Sequence, residues 1–150
     1  MDIFNPIPLV YPAQSKLHFY CRDAVCEFVL RNDAVPLHPF RLFDYFLGDR
    51  VDRNTIRRAN NSLVARADEL WVFGNEIADG VLVEISHAHN SHKPVRFYTI
   101  ATRANEITEL PIEEISFEKE LLEKANENVR GLRDVLKGNL DFQEVFSNID

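Results

Sequence analysis

Two hydrophobic rhythms alternate along the chain. Ile7-Pro8-Leu9-Val10-Tyr11 is a short apolar run bounded by prolines, which predicts a first buried strand with Pro8 tolerated near its start. Ser15 offers an N-cap. From Leu17, apolar residues recur at Cys21, Ala24, Val25 and Phe28, the spacing of one helical face, until Asn32-Asp33 breaks it. Ala34-Val35-Pro36-Leu37 restarts an extended run, and His38-Pro39-Phe40-Arg41-Leu42-Phe43 follows as an aromatic-rich loop, either a lid or a buried turn. Asp52 caps a second predicted helix that carries Ile56, Leu63 and Ala67 inward and Arg53, Arg57, Arg58 and Arg66 outward. Leu70-Trp71-Val72-Phe73 is continuously apolar, as a strand covered on both faces of a parallel sheet must be, and Gly74 ends it. Asp79 and Gly80 open a third helix with Val81, Leu82, Ile85 and Ala88 apolar, and Lys93 to Tyr98 returns as a strand.

This βαβαβ order predicts an α/β, Rossmann-like (flavodoxin-like) three-layer fold, a doubly wound parallel sheet with right-handed crossovers. Past Tyr98 the pattern predicts a short edge strand around Ile115-Ser116-Phe117. One helix follows from Glu118 to Lys137, striped by Leu121, Leu122, Ala125, Val129 and Leu132. Residues 139–150 read as a short helix docked by Phe142 and Phe146, or as a frayed tail. A length of 150 residues and 45% apolar content suit one domain spanning 1–150, with a C-terminal helical extension from about 117.

The net charge of −7 changes the picture only once it is located. Residues 106–127 hold eight Glu and two Lys, while 41–66 is basic. The acid is expected on an exposed face that sets solubility and partner choice, and the arginines on a solvated helix face. An acidic balance argues against a nucleic-acid polymer as partner. No apolar run is long enough to span a membrane, the N-terminus lacks the pattern of a signal peptide, and Cys21 and Cys26 make no disulfide framework, so a cytoplasmic setting is expected. Neither a dinucleotide fingerprint nor a P-loop is present, and no cofactor is expected. His87, His89 and His92 cluster at the end of the third helix with no carboxylate or Cys to complete a set, so no metal site is expected.

Ligands of open parallel sheets bind at the carboxyl ends of strands, which directs attention to Tyr11 to Ser15, Leu37 to Phe46 and Gly74 to Glu84. In the third of these, Glu84 lies near a helix N-terminus, whose positive field favours its ionised form and prepares it as a nucleophile or acceptor. Asp79 adds a second carboxylate about 140° away around a helix, so the two converge only if Asp79 sits in the preceding loop. The plainer alternative makes Asp79 an N-cap and Glu84 a solvated partner of the helix dipole.

Ala67-Asp68-Glu69-Leu70-Trp71-Val72-Phe73-Gly74, Ile77 to Ile85 and Lys93-Pro94-Val95-Arg96 resemble the core of a bacterial and phage family related to the nucleoside 2-deoxyribosyltransferases. Pro39-Phe40-Arg41-Leu42-Phe43 and Phe46-Leu47 are similar to that family's aromatic loop, and the resemblance covers roughly residues 7–100. It implies a nucleoside N-glycosidic-bond enzyme, a deoxyribosyltransferase or N-glycoside hydrolase, with Glu84 as nucleophile and Asp79 delivering a proton to the leaving base. It further implies a pocket lined by the loop Tyr11-Pro12-Ala13-Gln14, by Phe40 and Arg41, and by Gly74, Asn75 and Gly80. Phe40, Phe43, Phe46 or Tyr11 would stack on the base, or else fill the core.

Pro12-Ala13-Gln14 replaces the family's small Gly- or Ser-containing turn, and Asp79 stands where relatives that accept 5′-monophosphates place small hydroxylated residues. A carboxylate there repels phosphate, which favours a nucleoside over a nucleotide unless Arg41 compensates. The resemblance also implies a homo-oligomer, with the C-terminal helix as its expected interface. Two other classes remain open: a non-catalytic nucleoside- or nucleotide-binding protein, and a structural or interaction protein.

Overall fold

The computed structural model describes residues 2–146, the side chains of Tyr45 and Phe46 excepted. The fold is mixed α/β, built on a parallel sheet in the order β2-β1-β3-β5. Its strands are β1 (Leu9–Gln14), β2 (Val35–Pro36), β3 (Glu69–Phe73) and β5 (Val95–Tyr98). A second, two-stranded parallel sheet joins β4 (Glu76–Ile77) to β6 (Ser116–Phe117). A strand therefore does form in this stretch, at Ser116-Phe117, but it pairs outside the main sheet rather than at its edge. No helix among the described residues is long and apolar enough to cross a membrane.

β3 lies between β1 and β5, and Leu70, Trp71, Val72 and Phe73 are all buried, as their unbroken apolarity requires. β1 runs three residues further than its apolar pattern suggested, because register with β3 pairs Pro12 with Trp71, Ala13 with Val72 and Gln14 with Phe73. Pro12 is tolerated in this inner strand for a local reason. Val35 and Leu37 donate to the carbonyls of Pro8 and Val10, so even-numbered residues of β1 face β2. β2 is only two residues long and pairs just Leu9 and Val10. The N–H that Pro12 lacks would have pointed to a side where the ladder has already ended.

The helices are α1 (Arg22–Arg31), the single turns α2 (Pro39–Leu42) and α3 (Asp44–Leu47), α4 (Arg53–Arg66), α5 (Asp79–Asn90), α6 (Lys119–Lys124) and α7 (Val129–Leu136). One face of the sheet packs Val10, Trp71, Phe73 and Tyr98 against Val25, Phe28 and Val29 of α1. The other packs Tyr11, Ala13, Leu70 and Val72 against Val64 of α4 and Leu82 and Ile85 of α5. The connection through α1 moves from β1 to β2, and that through α4 returns across β1 to β3. This reversal puts the two helices on opposite faces and opens a switch point between β1 and β3.

Three elements differ from the sequence pattern. The first helix begins as a 3-10 turn, Lys16–Cys21, capped by Ser15 and kinked at His18 before α1. The aromatic stretch after β2 folds into α2 and α3 instead of a loop, with Pro39 at the first helical position of α2 and His38 as its cap. The helix expected over Glu118 to Lys137 is two, broken where Asn126 and Glu127 take positive φ values of 50° and 61°. The break lets Leu121 of α6 and Leu132, Val135 and Leu136 of α7 all reach the core shared with α5. Of the stripe expected to serve an oligomer interface, Leu121, Ala125 and Leu132 are buried in the chain's own core, Leu122 is partly buried there, and Val129 stays exposed. Phe142, in the 3-10 turn Phe142–Glu144, and Phe146 dock on the same core. The tail beyond 146 lies outside the described residues.

Candidate active site

A cleft of about 830 Å³ opens at the carboxyl end of β1, beside the β1/β3 switch point. Its wall is drawn from the end of β1, the α2–α3 segment, the exposed side of α4, the first turns of α5 and the start of α6. Tyr11 and Gln14 reach it from inside the strand, not from a loop after it.

The phenol of Tyr11 donates a short hydrogen bond to the Glu84 carboxylate. Both line the cleft, and Tyr11 is 2% exposed. Burial raises the Glu84 carboxyl to about 7; the Tyr11 hydrogen bond opposes that rise, and the nearby charge of Asp44 adds to it. The field of the helix N-terminus was expected to keep Glu84 ionised, and desolvation wins instead. Near neutral pH the group is divided between its two states. Burial also pushes the Tyr11 phenol well above its ordinary value, with Glu84 and Asp44 adding to the effect, so it stays a donor.

Asp79 is the first residue of α5; the N-cap is Ala78, which provides no side-chain cap. Asp79 accepts from the Gly80 N–H at 2.8 Å and from the Lys124 ammonium in a short ion pair. Burial raises its carboxyl, but Lys124 and the Gly80 N–H outweigh that and hold it below the ordinary carboxylate range. This is the state of a charged anchor, not of a proton donor. Asp79 and Glu84 share the cleft all the same, the one paired at its rim and the other enclosed against Tyr11.

Gln14 ties β1 to α2. Its amide donates to the His18 carbonyl at 2.8 Å, and its carbonyl accepts from His38 Nε2 at 2.8 Å, while His38 Nδ1 accepts from the Phe40 N–H at 3.2 Å. Those partners fix one neutral tautomer. Burial and the charges of Arg22 and Arg41 hold His38 down at about 3, so it does not titrate near neutrality. Phe40, 5% exposed, lines the cleft with its ring 5.2 Å from that of His38.

Four expected lining or stacking residues are placed otherwise. Arg41 points to the surface, in an ion pair with Asp23 at 2.9 Å. Gly74 and Asn75 lie off the cleft wall. Gly74 adopts a φ of 116° and donates to the Tyr98 carbonyl, so its role is to turn the chain out of β3. The Asn75 carbonyl accepts from the Ser116 N–H and hydroxyl, holding β6. Phe43 is half-buried and off the cleft wall. Stacking by Phe46 falls on a side chain outside the described ones. Gly80 does line the cleft, where an added Cβ would meet open space.

Several cleft residues escaped the sequence pattern. Arg53 and Arg57, assigned to a solvated face, border the cleft from α4, as do Asn60 and Asn61. Asp44 is 5% exposed at the start of α3. Glu118 accepts from the Ser15 hydroxyl at 2.8 Å, so the acidic late segment closes one wall instead of merely facing solvent. The histidines 87, 89 and 92 lie away from the cleft, with His89 Nε2 donating to the Leu136 carbonyl at 2.8 Å. Among the described residues no group of three or more metal-ligating side chains is assembled.

Residues 11–98 match the family described as a domain of unknown function, DUF7768. The chain belongs to that family. The DUF7768 region begins at Tyr11 and ends at Tyr98, so it contains Tyr11, Gln14, His38, Asp44, Asn60 and Glu84 of the cleft wall and Asp79 at its rim. It stops short of Glu118 and Lys124, which this chain adds from its C-terminal helices. No curated protein matches the chain significantly.

Proposed function

We propose that the protein acts on the N-glycosidic bond of a nucleoside or a related small N-glycoside, with Glu84 as nucleophile, on a nucleoside 2-deoxyribosyltransferase-like version of the Rossmann-like fold. The observation that carries this reading is the enclosed carboxylate of Glu84, oriented by the Tyr11 phenol in a cleft at the switch point of the sheet. A poorly solvated carboxylate is reactive toward an electrophilic carbon, and its charge stabilises the oxocarbenium-like transition state of glycosyl transfer. Glu84 attacks C1′ and forms an ester as the bond from C1′ to the base nitrogen breaks. The base leaves with the bonding pair and takes up a proton from solvent, Asp79 being held ionised by Lys124. Water then attacks C1′, returns a proton to solvent and frees Glu84; a second base in place of water gives transfer.

The ion pair of Asp79 with Lys124 revises the expected preference. A carboxylate whose charge is matched no longer repels phosphate strongly, and Arg53 and Arg57 border the same cleft, so 5′-monophosphates belong beside nucleosides as candidate substrates. The test is incubation with a panel of both, with free base measured by chromatography. Release that disappears in Glu84→Ala supports the proposal. Binding without release assigns a sensor, and neither binding nor release rejects the reading.

A further inference from the structure

Asp44 is an enclosed carboxylate that the protein itself serves poorly. Its side chain is 4% exposed, yet its partners are long: Asn60 Nδ2 donates to one oxygen at 3.3 Å, and the largely exposed Lys16 ammonium is 3.6 Å from the other. A carboxylate offers about four acceptor positions, and a buried one ordinarily fills them at shorter range. The neighbour repeats the imbalance. Asn60 spends its amide N–H on Asp44, and its buried Oδ1 has no partner among the described residues. Rotating the amide would set Oδ1 against the Asp44 carboxylate, so the orphan acceptor cannot be relieved that way. Both residues line the cleft that holds Glu84, and the Asp44 charge is felt by both Glu84 and Tyr11. Among the described residues, this corner thus sets two acceptors side by side, and the cation nearest the Asp44 carboxylate, Lys16, stays 3.6 Å away.

We infer that Asp44 and Asn60 form a subsite for a ligand group that presents two adjacent hydrogen-bond donors, which a carboxylate accepts side by side. This rests on the nucleoside reading above. Within that class the chemistry has two sources, the N1–H and 2-amino edge of a guanine or the 2′,3′-diol of a ribose. Asp79, already matched by Lys124, does not supply such a site.

The experiment measures Kd by calorimetry for guanosine, inosine, 2′-deoxyguanosine and thymidine, with the wild-type chain, Asp44→Asn and Asn60→Ala. Inosine lacks the 2-amino group, deoxyguanosine lacks the diol, and thymidine lacks both donor pairs. Wild type is expected to bind guanosine at least about tenfold more tightly than one of the first two, and thymidine most weakly, because a buried acceptor left unpaired weakens the complex. If inosine is the weaker, the corner reads the base; if deoxyguanosine, it reads the sugar. In Asp44→Asn that ratio falls to within about twofold, and in Asn60→Ala it shrinks, while circular dichroism confirms the fold. Equal wild-type affinities, or a ratio that survives in Asp44→Asn, overturn the subsite and leave the nucleoside reading standing. Should wild type bind thymidine best, the subsite also falls. Binding of none of the four removes the subsite, and the reading it rests on falls with it when the panel of nucleosides and 5′-monophosphates likewise shows neither binding nor release. If Asp44→Asn fails to fold, the ratio in Asn60→Ala alone decides.

Discussion

Tyr11 on β1 and Glu84 on α5 are joined by a hydrogen bond in which the phenol donates to the carboxylate, so a central strand sets the direction of a carboxyl that burial brings into the neutral range. That bond favours the ionised form and works against desolvation. Removing it in Tyr11→Phe leaves the carboxyl enclosed and unassisted. The midpoint of Glu84 then rises above about 7, by about 1–2 pH units if the bond is worth the roughly 1.5–3 kcal/mol typical of a charged acceptor. A carbon-13 NMR titration of labelled Glu reads this directly, and an unmoved midpoint would show that the bond does not govern the charge.

The same burial makes stability depend on pH. The Glu84 carboxyl titrates near 7 in the folded protein, against an ordinary value of 4.5. Between those values the folded protein holds a proton that the unfolded chain has lost. The contribution is therefore fully present below the ordinary value and declines as pH rises through about 7, by up to about 3 kcal/mol. Glu84→Gln keeps an acceptor for Tyr11 and removes the titration. Its thermal midpoint should match that of wild type near pH 4 and exceed it by several degrees at pH 8; parallel curves would sink the assignment.

Lys93 is a structural counterpart to the site residues. Its ammonium donates to the carbonyls of Val64, Ala65 and Ala67 at 2.7, 2.7 and 2.6 Å, closing the carboxyl end of α4 with a charge of the sign the helix dipole favours. Lys93→Met deprives three carbonyls at once and should cost about 2–3 kcal/mol in urea unfolding with an unchanged slope. Whatever nucleoside affinity wild type shows should be kept by the variant under conditions where it stays folded, since Lys93 is not among the residues that line the cleft.

What the sequence reveals of this fold follows from periodicity. β3 shows as an unbroken apolar run, and α4 as an Asp-capped amphipathic helix, because burial on two faces or on one dictates those patterns. Tyr11 and Glu84 are both candidate site residues in the sequence, but their contact is not legible there, since it spans 73 positions. Asp44 and Asn60 carry no local signal: what brings them together is a tertiary contact between α3 and α4, 16 positions apart in the chain. The break at Asn126 and Glu127 was hidden for another reason. Left-handed backbone at Asn and Glu leaves the apolar spacing intact, so one stripe served two helices.

Asp79 and Lys124 connect the two parts of the chain, the one inside the DUF7768 region and the other beyond it. Both side chains are roughly half exposed, so breaking the pair in Lys124→Met should cost under about 1 kcal/mol. Its electrostatic effect is larger than its effect on stability. Without the ammonium, the burial that already pushes Asp79 upward is met only by the Gly80 N–H and the more distant Arg57, so its carboxyl titrates higher than in wild type. Above that midpoint an uncompensated carboxylate stands at the cleft rim and repels a dianionic phosphate. Binding of a 5′-monophosphate should therefore weaken about tenfold relative to the parent nucleoside at pH 8, at low salt where screening is least. Adding Asp79→Asn to Lys124→Met removes the repelling charge and should restore the ratio. If instead Lys124→Met weakens nucleoside and nucleotide alike and the second substitution rescues neither, the pair holds α6 against α5 and has no part in choosing the ligand.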